Sequence, residues 1–316
     1  MERLTHGDEP HAATTVEAWS TEWLSLCVDL KPSTRALYRN VLDTQVLPVF
    51  RDVALKEING LTVRRWVADM NANGLSASRI RQSHNVLSAM LAFAVQCGLL
   101  ERNAAHGTRL PPDLIKPVQV LTASEVERLA QAIRPEYRPL IHVLGYGGLR
   151  FGEAAALRRR ACDLDHRRLI VAESITEVGS RLVLGETKTG RIRKAAIPAF
   201  LVAELRSHLE CIDAAPDRFV FTAPNGGPLR LVNFRRRVWW PALEVAGLPR
   251  LRVHSLRHTC ASLLIRQGVH PKAVQYQLGH ARIALTMDRY AHLFADQFED
   301  LARRLDDAHA ESLIGR

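Results

Sequence analysis

HSLRHTCASLLIRQGVHPKAVQYQLGHARIALTMDRY, running from His254 to Tyr290, is the stretch on which the reading of this chain turns. His254, Arg257 and His258 share one short helical segment, and His280 and Tyr290 follow. Read alone, Tyr290 is an aromatic at the end of a helix, and most tyrosines pack the ring and give the hydroxyl to water or a neighbour. A phenol with a pKa near ~10 is a poor nucleophile unless something activates it. His254 and His258, four apart, have the spacing of the zinc-binding H-E-x-x-H pattern. The second position is Ser255, however, and no general-base glutamate is present, so no metal is expected. Taken singly, such histidines are mostly satisfied structural residues.

The rest of the chain narrows the choice. Its 316 residues suffice for two domains, and 47% are hydrophobic, as in a globular protein that buries a core. No apolar run approaches the length needed to cross a bilayer. MERLTHGDEPHAATT lacks the apolar segment of a secretory signal, so the expected location is cytoplasmic. Cys27, Cys97, Cys162, Cys211 and Cys260 are odd in number and contain no CxxC pair, which argues against a disulfide framework or structural zinc. Lys and Arg total 43 against 33 Asp and Glu, a formal charge of +10. A polyanionic partner fits, nucleic acid first.

Residues 1–13 read as a flexible tail. Val16, Trp19, Trp23, Leu24 and Cys27 then recur at helical spacing. Ser33 is placed to cap a second helix that stops at Pro48. A third covers Leu61 to Met70, closed by Asn73-Gly74, and a fourth runs from Ser76 to Cys97, ended by Gly98. This makes a helical unit over 14–108. RLPPDLIKPVQ, at 109–119, reads as a linker. The remainder, 120–316, opens with a capping box at Thr122 and Glu125. Beyond Asp163, RLIVAE, RLVLGE and RKAAIP are β-prone and separated by turn residues, so a small antiparallel sheet is expected. From Leu201 the chain is again helical, interrupted at Asn225-Gly226-Gly227-Pro228.

Two further places carry chemistry. In GGLRFGE, Arg150 follows a glycine break and precedes Glu153, where an arginine can approach a phosphate closely; no dinucleotide fingerprint fits its glycines. In ETKTGRIRKAAIP, Lys188 precedes a Thr-Gly turn and is expected at a hairpin tip, with Lys194 as a rival lysine.

Together these residues run Arg, Lys, His-x-x-Arg, His, Tyr, in a basic chain with a helical domain in front. The pattern resembles the tyrosine recombinases, the phage-type integrases. GLRFGEAAALRRRACDL is similar to the segment around the family's first arginine, and His254 to Phe294 is similar to its signature region. KPSTRALYRNVLDTQVLPVF and SASRIRQSHNVLSAMLAFAVQCGLLERNAA are similar, less specifically, to its core-binding domain. The resemblance implies a mainly α protein with a small antiparallel β-sheet, a two-domain DNA clamp of helical core-binding domain and catalytic domain.

It also implies roles. Tyr290 matches the nucleophile that forms a 3′-phosphotyrosyl bond and frees a 5′-hydroxyl. Arg150 and Arg257 match the arginines that clamp the non-bridging oxygens. His254 and His280 match positions that hydrogen-bond the phosphate and assist proton transfer. Lys188 matches the lysine that protonates the leaving oxygen, and Glu153 an acid that supports the site. The chemistry is coherent: arginines aimed at oxygens that gain charge stabilise the transition state most. The phosphotyrosine conserves bond energy, so no cofactor, ATP or metal is expected.

DNA contacts are expected from Arg35, Arg39, Arg79, Arg81 and His84 in the first unit. Arg235, Arg236 and Arg237 in the second are expected to join them, with about half of the basic runs there, Arg158 to Arg160 included, touching phosphate. The implied partners are double-stranded DNA at core-type recombination sites, further copies in a tetramer, and an accessory directionality factor, with no membrane and with the nucleoid as location. ADQFEDLARRLDDAHAESLIGR reads as an amphipathic helix that packs on a neighbouring protomer or on its own. Ser255 and Ala104 depart from the family's frequent Asp and Pro, and with so short a stretch before Thr15 an arm-type DNA-binding domain is not expected. A type IB topoisomerase and a DNA-binding protein with a decayed site are the competing readings.

Overall fold

Thr15 starts the first helix by accepting the Ala18 N–H, and Trp19 and Trp23 bury one face of it. The computed structural model describes residues 14–112, 118–283 and 290, with 303, 305–307, 309 and 310. Contacts divide the chain into two units, Met1–Ile115 and Lys116–Arg316.

The first unit holds α1 (Val16–Leu26), α2 (Pro32–Val41), α3 (Leu47–Phe50), α4 (Gly60–Ala72) and α5 (Ala77–Gln96). Its core joins Trp19, Trp23, Val41, Leu42, Trp66, Ile80, Leu87, Met90 and their neighbours. Each such side chain contributes roughly 1.5–3 kcal/mol on full burial. The indoles keep their polar ends paired, Trp19 with Met90 O at 3.2 Å and Trp66 with Gln45 O at 2.9 Å. Asn59 caps α4 with a reciprocal box to Thr62, and Gly98, at φ +76°, follows α5.

Two expectations fail at α2. Lys31 is its N-cap and Pro32 its first residue, so Ser33 lies inside the helix. Nor does the helix stop at Pro48: Leu42–Val46 form a π-turn and α3 continues through the proline to Phe50. A proline ring collides with the carbonyl four residues back and offers it no N–H. Widening the preceding turn, with Leu47 N–H reaching Leu42 O, lets the helix pass. Arg235–Trp239 form a second π-turn, again two residues before a proline, Pro241.

The second unit opens with α6 (Ala123–Ala132), capped by the Thr122–Glu125 box. Next come α7 (Arg138–Gly145) and the short α8 (Phe151–Ala155). Strands β1 (Cys162–Asp163), β2 (Arg168–Val171), β3 (Glu173–Val178), β4 (Arg181–Glu186) and β5 (Arg193–Ala196) follow. They form two antiparallel sheets, one ordered β1-β2-β5 and one a β3-β4 hairpin. The turn at Lys188 therefore joins strands of different sheets: β4 pairs with β3 and β5 with β2, placing Val171 opposite Arg193. Lys188 is not at a hairpin tip. The helices α9 (Ala199–Glu210), α10 (Leu231–Phe234), α11 (Trp240–Val245), α12 (Ser255–Arg266) and α13 (Pro271–Leu278) complete the unit.

No helix among the described residues is long and apolar enough to cross a membrane. Residues 1–13, most of the linker's centre and most of the C-terminal amphipathic stretch lie outside the described residues.

Candidate active site

Arg257 lies in the first turn of α12 and is 2% exposed. Its guanidinium donates to Gly148 O at 2.6 Å and to Leu278 O, joining the break after α7 to the end of α13. Burial, with the Arg150 charge next, pushes the group down to about 9, so it remains a cation at neutral pH. Gly148 has φ +68°, and a Cβ there would lie 2.7 Å from Leu278; the carbonyl that receives Arg257 needs a glycine beneath it.

Arg150 is the N-cap of α8. Its backbone N–H reaches Glu153 Oε2 at 2.8 Å and its Nη1 reaches Oε1 at 2.7 Å. The same carboxylate takes two bonds from Arg193, at 3.0 and 2.6 Å. Glu153 is buried, and burial acts to raise its pKa. The hydrogen bond and charge of Arg193, then the charge and N–H of Arg150, outweigh that and hold it at about 2. Arg193 also donates to Gln277 O at 3.2 Å. Gly279, at φ +65°, leaves no room for a Cβ against the Arg193 side chain, 2.7 Å from Cδ. The Gln277 amide bridges Gly147 O and both backbone groups of Ala196, locking α13 to β5.

Arg150, Lys188 and His280 line one cavity of about 480 Å³, with Arg193 and Lys272 also on its walls. Lys188 is exposed in the turn, whereas Lys194, on β5, is not among the lining residues. Arg150 Nη2 lies 3.4 Å from Gly279 O, so both matched arginines meet the backbone just before His280.

Tyr290 is 1% exposed and packs with Cys260, Ala261, Ile265, Val274 and Leu278. Its hydroxyl lies 2.6 Å from Nδ1 of His258. The His258 ring in turn stands perpendicular to that of His254, centroids 4.8 Å apart. Tyr290 is thus docked within its own chain. Cys260, beside it, is pushed up to about 12 by burial and is an inert thiol.

The chain matches the phage integrase family over residues 119–297, and the N-terminal SAM-like domain of phage integrases over 15–71. It belongs to the phage integrase family. The integrase of Mycobacterium phage FRAT1 is 29% identical over 94% of this chain and 89% of its own length. That of Mycobacterium phage L5 is 28% identical over 96% and 79%. Among solved structures, the Tn1549 transposon integrase in complex with a circular intermediate DNA covers 92% of this chain and 99% of its own. It has a TM-score of 0.79 at 22% identity. A lambda integrase dimer bound to a core site covers 86% and 97%, with a TM-score of 0.66 at 18% identity. This phage-type integrase is a site-specific tyrosine recombinase, a DNA strand-exchange enzyme of integration or excision.

The residues expected to touch DNA divide by what they hold. Arg35 donates to the Leu24 and Cys27 carbonyls at the end of α1. Arg79 bonds Gln82, Asn40 and Thr44, and Arg81 bonds Pro111 O. His84, expected to contact DNA, is a core residue, 9% exposed with Nε2 3.1 Å from Ala105 O. Arg39 is exposed, and so are Arg236 and Arg237, while Arg235 lies over the Trp240 ring. The Arg158–Arg160 run is occupied: Arg158 by Glu173 and Asp217 O, Arg159 by Leu209 O, Arg160 by Asp217.

Arg193, His258 and Gln277 lie outside the Arg, Lys, His-x-x-Arg, His, Tyr pattern of the sequence. His258 had a visible signal, its spacing from His254. Arg193 stood in a basic run, and Gln277 had no signal. Among the described residues no group of three His, Cys, Asp or Glu is placed to hold a metal ion.

Proposed function

We propose that this integrase cuts and rejoins DNA at core-type sites through a 3′-phosphotyrosyl bond to Tyr290. The convergence of Arg150, Lys188 and His280 on one cavity, with Arg257 fixed behind the same backbone, carries the reading. Arg150 and Arg257 hold the scissile phosphate and stabilise the charge that builds on its oxygens. Lys188 protonates the leaving 5′-oxygen, and His254 and His280 contact the phosphate. Glu153, with Arg193, fixes Arg150 in orientation. Residues 14–108 form the core-binding domain, 109–119 a linker and 120–316 the catalytic domain. The enzyme works on the bacterial nucleoid as a tetramer on DNA, with an accessory factor setting direction.

A nicked duplex carrying the junction sequence of the encoding element tests this. The wild-type chain forms a covalent adduct, and Tyr290→Phe binds the duplex but forms none. An adduct with the phenylalanine variant overturns the nucleophile assignment.

A further inference from the structure

Two buried tyrosines of the catalytic unit use their hydroxyls differently. Tyr137 gives its hydroxyl to a backbone carbonyl, Thr222 O, at 3.0 Å, the ordinary way to satisfy a buried phenol. Tyr290 meets an imidazole nitrogen at 2.6 Å. A carbonyl cannot keep a proton, whereas an imidazole with an ordinary pKa near ~6.5 can. We propose that His258 is a catalytic residue, the group that takes the proton of Tyr290 as the phenol becomes a nucleophile. The inference rests on the reading of Tyr290 as the nucleophile.

The fold holds His258 for this. It follows Arg257, whose two carbonyl bonds and burial fix the first turn of α12. His254 and His258 lie one turn apart, so they share a face of the helix. The series runs from buried Tyr290 through half-buried His258 to exposed His254. A proton taken from the phenol therefore moves away from the apolar cluster around Tyr290, towards solvent.

The step balances. With His258 carrying its hydrogen on Nε2, the Tyr290 hydroxyl donates to the bare Nδ1. The O–H bond breaks, the proton stays on Nδ1, and the Oη electron pair forms the bond to phosphorus. The P–O5′ bond breaks, and the 5′-oxygen takes a proton from Lys188. One phosphodiester is exchanged for another of equal charge, His258 ends cationic and Lys188 neutral. Religation reverses each transfer.

The test uses the full chain and the nicked junction duplex, and reads the rate of covalent adduct formation. His258→Asn keeps a hydrogen-bonding group near the Nδ1 position without its basicity. It should slow adduct formation by about 100-fold, the usual scale of a lost general base, with duplex binding retained. Replacing Tyr290 by 3,5-difluorotyrosine acidifies the phenol, and should restore most of that loss in His258→Asn while changing wild type little. An equal loss with both phenols marks a structural role and overturns the proposal, as does His258→Asn at the wild-type rate. If His258→Asn fails to bind, His258→Ala with free imidazole decides: imidazole-dependent adduct supports the proposal, and none overturns it. A wild type that makes no adduct overturns both this proposal and the nucleophile reading. A wild-type adduct with an unaffected His258→Asn removes His258 alone.

Discussion

In the helical unit Arg35 donates to the Leu24 and Cys27 carbonyls, and Arg81 to Pro111 O; at the active site Arg150 and Arg193 share one buried carboxylate, that of Glu153. Both regions use guanidinium groups to hold backbone and side chain in place, but the energetics differ. Arg35 keeps partial access to water and neutral partners, so losing it removes hydrogen bonds of modest net value. Glu153 and Arg193 are both buried, their side chains 1% and 8% exposed. A pair of that kind contributes little net stability when complete and is severely destabilising when one member is lost. The same arrangement leaves Arg150 at a cavity wall with its orientation already set, which is what stabilisation of a transition-state charge requires.

Glu153→Gln breaks the comparison where its effect is largest. The amide keeps the size of the side chain and removes the charge that balances Arg193 and Arg150. At neutral pH the unfolding free energy should fall by about 3 kcal/mol. The sign of the pH dependence follows from the carboxyl's folded value of about 2 against an ordinary 4.5. Its contribution is complete above 4.5 and is lost as pH falls towards 2 and the folded carboxylate is protonated. The gap between wild type and Glu153→Gln should therefore close across that window in denaturant titrations. A gap that stays constant through it would show that charge is not what the variant removes.

A pair of glycines sharpens the contrast at the next scale. Gly74, after α4, and Gly279, after α13, both have positive φ, +77° and +65°. A Cβ at Gly74 meets nothing within 4 Å, whereas one at Gly279 meets Arg193 at 2.7 Å. Gly74→Ala should cost about 1 kcal/mol of stability, the left-handed penalty alone. Gly279→Ala should cost about 2–3 kcal/mol, because Arg193, bonded to Glu153 and Gln277 O, has nowhere to retreat. Equal losses would mean that the Arg193 contact relaxes without cost.

What the sequence made legible was mostly local. The Thr122–Glu125 box, the stop at Asn73-Gly74 and the apolar face of α5 depend on residues within a few positions of one another, and each is present. The β-prone runs suggest a single sheet, whereas β2 and β5 pair across the whole β3-β4 hairpin and make two, a long-range register that no local run of residues reports. Pro48 looks like a stop in the sequence because the π-turn that admits it leaves no trace in the apolar pattern. At the site, the order of Arg150, Lys188, His254, Arg257, His280 and Tyr290 points to the proposed chemistry, and the fold brings Arg150, Lys188 and His280 to one cavity. Arg193 stayed hidden between Arg191 and Lys194, since only pairing opposite Val171 and the close approach of Gly279 distinguish it from a solvated charge.

The smallest effects separate arginines that hold the fold from those available to DNA. Arg39 sits on α2 one turn beyond Arg35 and is exposed. Arg35→Gln should lower stability by about 1 kcal/mol and leave the salt dependence of duplex binding unchanged, because its donors already have carbonyls. Arg39→Gln should alter stability by less than about 0.5 kcal/mol, yet reduce the slope of log affinity against log salt by about 1, the signature of one lost phosphate contact. Fluorescence anisotropy on the junction duplex at several salt concentrations, beside denaturant unfolding, reads both quantities. If Arg35→Gln lowers the slope and spares stability, its bonds to α1 yield to phosphate when DNA binds. The distinction between structural and DNA-facing arginines would then hold only for the free protein.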